Sequence, residues 1–134
     1  MTVVVDASVA TKWVLPEDGS DRATALRRPG EEFIAPGLIA AEIGNAVWKR
    51  VIWKDFPTAD ALRALQVALA HFSQLIPMEN LAARATEIAI ELKHPIYDCF
   101  YLALAEDKQC PLITADKRLL AAAKKMKGIE VRKL

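Results

Sequence analysis

A chain of 134 residues fits one domain and is long enough to bury a core without disulfides or a structural metal. Apolar residues make up 53% and charged residues 26%, the balance of an ordinary soluble protein rather than a disordered or membrane-embedded one. The formal net charge of +1 excludes a nucleic-acid binder that works by bulk attraction, so any such contact must come from a local patch.

Val3-Val4-Val5 is β-branched and stops at Asp6, the pattern of a buried strand. Ala7 to Val14 follows as a short helix ending before Pro16, and Glu17 to Arg28 as another, closed by Pro29-Gly30. Phe33-Ile34-Ala35 reads as a second strand. Gly37 to Val51 sets Ile39, Ile43 and Val47 at four-residue steps on one helical face. Thr58 is the expected N-cap of a helix reaching Gln74, with an apolar stripe of Leu62, Leu65, Leu69 and Phe72. Leu75-Ile76 is a short third strand, and Leu81 to Leu92 a helix with the stripe Leu81, Ala85, Ile88 and Leu92. Tyr97 to Asp107 is apolar almost all round, which predicts a central buried helix. Leu112-Ile113-Thr114 is a fourth strand, Lys117 to Met126 a last helix, and Ile129 to Val131 a fifth strand.

This alternation predicts an α/β domain over residues 1–134, with a mostly parallel central sheet of about five strands flanked by helices. The apolar start MTVVVDAS is too short for a secretory signal, with no basic residue before it, and no stretch is long enough to cross a bilayer. A cytoplasmic protein without membrane contact is expected. Cys99 and Cys110 match no zinc or redox spacing and read as two reduced thiols.

Ligands of parallel sheets bind beyond the carboxyl ends of the strands. Asp6 directly follows the first strand there, and Asp116 lies two residues beyond the fourth. Each fits a plain helix N-cap as well as a ligand. Asp98, in the first turn of its helix, also suits the macrodipole there. Glu42 sits among Ala40, Ala41 and Ile43 and reaches the same edge only if its helix passes over it. Two carboxylates ~5 Å apart repel by roughly 3 kcal/mol at an effective dielectric of 20, so four need a compensating charge. Oxygen-only ligands suit Mg²⁺ or Mn²⁺, and the isolated His71 and His94 offer no zinc site. Ser8, Asn45 and Thr114 are short polar groups placed to orient these acids, or simply to make local turn bonds.

Four segments together resemble the PIN domain family and, within it, the VapC-like toxin ribonucleases. They are Val3-Val4-Val5-Asp6-Ala7-Ser8, Pro36 with Leu38 and Glu42-Ile43-Gly44-Asn45, Tyr97-Asp98-Cys99-Phe100-Tyr101-Leu102-Ala103-Leu104-Ala105, and Leu112-Ile113-Thr114-Ala115-Asp116-Lys117-Arg118-Leu119. They stand in the family's order and spacing from end to end of the chain. Cys99 departs from the small residue more usual after the third acid. The resemblance implies metal-dependent hydrolysis of RNA phosphodiesters by the quartet Asp6, Glu42, Asp98 and Asp116. Asp6, Asp98 and Asp116 would ligate Mg²⁺ or Mn²⁺ directly, with Glu42 acting through water. It also implies a homodimer and a VapB-type antitoxin partner.

Lys12, Lys49, Arg50, Lys117 and Arg118 are candidate RNA-phosphate contacts near these acids, whereas the C-terminal run Lys124, Lys125, Lys127, Arg132 and Lys133 reads first as a solvated face. Trp13, Trp48, Trp53 and Phe56 suit either core packing or an apolar docking surface. Three other readings stay open: a housekeeping RNA-processing PIN nuclease, a non-catalytic RNA- or protein-binding PIN module, and a phosphatase using Asp6 as phosphoryl acceptor. The last lacks the expected second acid, since Ser8 stands two residues after Asp6.

Overall fold

The Val3-Val4-Val5 run forms the centre of the sheet because only a strand covered on both faces can bury three consecutive apolar side chains. In the computed structural model, which describes residues 1–134, β1 (Thr2–Val5) lies between β2 (Glu32–Pro36) and β4 (Leu112–Thr114). The outer strands are β3 (Phe72–Ile76) and β5 (Val131–Lys133), giving the order β3-β2-β1-β4-β5. Every pairing is parallel, as the alternation of strands and helices requires. The fifth strand begins two residues later than the sequence predicts and is mostly exposed, as an edge strand can be.

Seven helices flank the sheet. α1 (Ala7–Ala10) runs on into a single 3₁₀ turn, Thr11–Trp13, and α2 (Ser20–Ala25) is shorter than the Glu17 to Arg28 span suggests. α3 (Leu38–Lys54) buries Ile39, Ile43 and Val47, the three residues its periodicity picks out. α4 (Thr58–Ala70) departs from expectation in two ways. Pro57, not Thr58, occupies the cap position, and the helix ends before Phe72, which belongs to β3. Its buried residues are Ala61, Ala64 and Ala68; of the expected stripe, Leu65 and Leu69 are partly buried against the main core and Leu62 remains 58% exposed. The small residues let α4 approach α3; Ala61 and Ala64 form a second core with Leu15 and Val47, while Ala68 joins the main one.

α5 (Ala82–Leu92) buries Leu81, Ala85 and Ile88 as predicted. α6 (Ile96–Lys108) is the central helix, with Cys99 through Ala105 all buried, and it touches β1, β2 and β4. α7 (Lys117–Ala123) closes the series. Both cysteines are buried and unpaired, consistent with thiols. No helix is long and apolar enough to cross a membrane.

Candidate active site

Because β1 and β4 are parallel neighbours, the acids after them emerge side by side. The capping role holds for both. Asp6 accepts from the Val9 amide at 3.3 Å, and Asp116 Oδ1 accepts from Arg118 and Leu119 at 2.8 and 3.4 Å. Asp6 does more than cap. Its Oδ1 accepts from Ser8 Oγ and its Oδ2 from Thr114 Oγ1, each at 2.6 Å. The same hydroxyls accept from the β4 exit: Ser8 Oγ from the Ala115 amide and Thr114 Oγ1 from the Asp116 amide, both at 2.9 Å. Two hydroxyls therefore tie the ends of β1 and β4 together and fix how Asp6 lies relative to Asp116.

Glu42 sits four residues into α3, about 6 Å along its axis from the sheet edge. Its Oε1 accepts from the Tyr101 hydroxyl of α6 at 2.5 Å. Tyr101 is 1% exposed. Asp98, one turn before Tyr101 on the same helix, accepts from His94 Nε2 at 2.7 Å. Neither Tyr101 nor His94 is singled out by the sequence as a partner of the acids. Tyr101 looks like core in an apolar helix, although its place three residues after Asp98 sets it on that acid's face. His94 reads as isolated because it lies outside the helix, beyond Pro95.

Burial pushes the Asp6 carboxyl up to about 6 against the downward pull of Ser8, Thr114 and Val9, with Asp116 adding to the rise. Burial likewise raises Glu42, opposed by the Tyr101 hydroxyl and reinforced by the charges of Asp98 and Asp116. Tyr101 is held far above its usual range, first by burial and then by Glu42, with Asp6 and Asp98 contributing. Asp116 bears on Asp6 and Glu42, and Asp98 on Glu42 and Tyr101, so the four acids share one electrostatic neighbourhood.

No group of three or more His, Cys, Asp or Glu side chains closes tightly enough to cage an ion. The donor set still suits a hard divalent cation that keeps several of its waters, as Mg²⁺ does. Glu42 Oε2, Asp98 Oδ1 and Asp116 Oδ2 carry no hydrogen bond, while the other oxygen of each is anchored by protein. Asp6 accepts three hydrogen bonds of the roughly four its lone pairs allow.

The remaining predicted residues divide. Asn45 is exposed one turn beyond Glu42 and bonds to none of the acids. Lys117 and Arg118 are exposed beside Asp116, and Lys49 is exposed on α3. Lys12 and Arg50 are both drawn to Glu17, at 3.3 and 3.0 Å. Trp13 is core, packed on Phe33, His71 and Phe72. Trp48 and Trp53 are exposed and stack edge to face on each other at 5.5 Å, and Phe56 is half-buried against the second core.

The PIN domain family matches this chain over residues 3–125. Ribonuclease VapC9 of Mycobacterium tuberculosis is 36% identical over 118 residues, spanning 87% of each chain. Ribonuclease VapC3 of Pyrobaculum aerophilum is 30% identical over 121 residues, spanning 89% of this chain and 92% of that protein. The structure of VapBC2 from Rickettsia felis, bound to a DNA fragment from its promoter, superposes with a TM-score of 0.73 over 100% of this chain and 99% of that one. At 13% identity that likeness is one of fold. A parallel five-stranded sheet with acids at its carboxyl edge, matched in sequence nearly end to end, makes this chain a member of the PIN domain family, among its VapC-like proteins.

Proposed function

We propose that this protein is a divalent-metal-dependent endoribonuclease and the toxin of a VapBC-type toxin–antitoxin pair, with Asp6, Glu42, Asp98 and Asp116 as its catalytic acids. One observation carries the reading. Three carboxylates from three separate stretches of the chain, Glu42, Asp98 and Asp116, each keep one oxygen anchored by protein and one oxygen open, and the charges of Asp98 and Asp116 both bear on Glu42. Those open oxygens are the kind of acceptor a hard divalent cation takes.

Asp6, Asp98 and Asp116 would hold Mg²⁺ or Mn²⁺, and Glu42 would act through water. The bound ion supplies charge stabilisation to a phosphodiester and makes water a better nucleophile near neutral pH. The chain's own groups do the rest. Ser8 and Thr114 orient Asp6, His94 orients Asp98, and Tyr101 fixes Glu42. With Oε1 bound to Tyr101, Glu42 presents Oε2 alone, and burial gives it the basicity to take a proton from attacking water.

The names of the relatives support ribonuclease activity, and solved neighbours that are toxin–antitoxin complexes support a VapB-type antitoxin. A homodimer and an antitoxin both need apolar surface. Trp48, Ile52 and Trp53 expose it on α3, and Trp13, Val14 and Phe56 line a cleft of about 430 Å³. The test is cleavage of cellular RNA by purified protein, read by mapping new 5′ ends. Cleavage is expected with Mg²⁺ or Mn²⁺, and is expected to vanish with EDTA and in Asp6→Asn. Cuts that persist in Asp6→Asn would place the activity elsewhere.

A further inference from the structure

One cleft of the molecule is lined by none of Lys12, Lys49, Arg50, Lys117 and Arg118, the cations expected near the acids. It encloses about 580 Å³, and its charged lining is Arg84, Glu91, Lys93, Glu106, Lys125 and Lys127. Arg84 and Glu106 neutralise each other through paired bonds of 2.6 and 2.9 Å. Three lysines outside any ion pair then face one remaining carboxylate, Glu91. In a chain of net charge +1, this is a local cationic excess in a concave surface, where fields are focused.

The cleft reaches the connection between α5 and α6, where Lys93 lines it. Lys93 directly precedes His94, about 3.8 Å away between Cα atoms, and His94 holds Asp98. Four residues after Lys93, Tyr97 is 62% exposed. Tyr97 immediately precedes Asp98 and lies one turn before Tyr101, on the helical stripe that reaches Glu42. The short α5–α6 connection and the first turn of α6 thus carry a free cation, an acid's partner, an exposed tyrosine and an acid. Proteins that hold single-stranded nucleic acid combine those elements: a cationic groove follows the phosphates, and an aromatic face stacks a base.

We propose that single-stranded RNA crosses the acid pocket with a base stacked on Tyr97 and its backbone running into the cleft of Lys93, Lys125 and Lys127. The assignment rests on the nuclease reading of the same site and names how its substrate is held. It moves phosphate binding from Lys12 and Arg50, which Glu17 occupies, to lysines that read in the sequence as a solvated face or carry no signal. It also selects an unpaired strand, since a base in a duplex cannot stack on a side chain without leaving its partner.

The test is fluorescence anisotropy of a short labelled single-stranded RNA of mixed sequence, titrated with the full chain over a range of salt. Divalent metal is left out so that nothing is cut. The triple variant Lys93→Ala, Lys125→Ala, Lys127→Ala should bind more weakly and flatten the slope of log K against log salt by about 2, at roughly 0.7 per lost phosphate contact. Tyr97→Ala should weaken binding about tenfold without changing the slope, while Tyr97→Phe keeps wild-type affinity. Lys124→Ala, outside the cleft, should change neither. Wild-type affinity and slope in the triple variant, or equal binding by Tyr97→Ala and Tyr97→Phe, would overturn the proposal. So would lysine-dependent binding of poly-glutamate with RNA affinity unchanged, which would make the cleft a seat for an acidic polypeptide. Cleavage with metal, assayed in parallel, separates the two readings. Asp6-dependent cutting with cleft-independent binding removes the RNA path alone; cleft-dependent binding with no cutting supports the path and removes the nuclease.

Discussion

Asp6 is the most constrained residue of the candidate site, since it is buried and yet must be charged to hold a cation. Two hydroxyls and one amide are its only direct compensation. Thr114→Val keeps the shape of the side chain and removes one of those donors. The variant should lose about 1–3 kcal/mol of stability in denaturant unfolding, because a buried carboxylate oxygen is left without its partner. Its Asp6 should titrate still higher, so half-maximal cleavage should need more Mg²⁺. A variant with wild-type stability and metal requirement would show that Thr114 is incidental. The four acids, Ser8 and Thr114 are legible in the sequence because each stands at a strand exit or in a short motif. Tyr101 is not, because a tyrosine in an apolar helix looks like any other core side chain until Glu42 is seen to reach its hydroxyl.

The elements differ in how firmly their sequences dictate which face is buried. α6 is apolar all round and buried from Cys99 to Ala105, so periodicity and structure agree. α4 is amphipathic in alanine and leucine, and there Leu62 misleads, whereas Leu65 and Leu69 pack partly buried against the main core. Leucine is the more apolar residue, but close helix approach favours the smaller one, and Ala61, Ala64 and Ala68 face inward. Leu104→Ala in α6 should therefore cost about 2–5 kcal/mol, whereas Leu62→Ala in α4 should stay within about 0.5 kcal/mol. Chemical denaturation of the two variants measures both. A large loss at Leu62 would show that it packs as Leu65 and Leu69 do. The early ends of α2 and α4 were hidden for a related reason. Helix propensity continues past both, and the β3 pairing that stops α4 involves β2, far back in the chain.

For the molecule as a whole, the site works against the fold. Asp6 titrates near 6 in the folded chain against an ordinary value of 3.8, so folding disfavours its charged form. Below about pH 4 both folded and unfolded chains carry the proton and there is no penalty. Between about pH 4 and 6 the unfolded chain ionises first and stability falls, by up to about 3 kcal/mol once above the folded pKa. Glu42 is shifted in the same direction and adds to the trend. Asp6→Asn should gain stability relative to wild type as pH rises through that window in metal-free buffer. Mg²⁺ should raise the wild-type melting temperature above pH 6 and do little at pH 4, where Asp6 is neutral. A stability difference between the two proteins that does not change with pH would contradict this account.

The bond from Thr114 to Asp6 spans 108 positions of sequence. A ribosome adding roughly 5–20 residues each second makes one end of that bond several seconds before the other. Until Thr114 is made, Asp6 has no hydroxyl for its second oxygen, and Asp116 has not been synthesised. The proposed active site therefore stays incomplete for most of the chain's synthesis, and a product that ends before β4 would lack both Thr114 and Asp116.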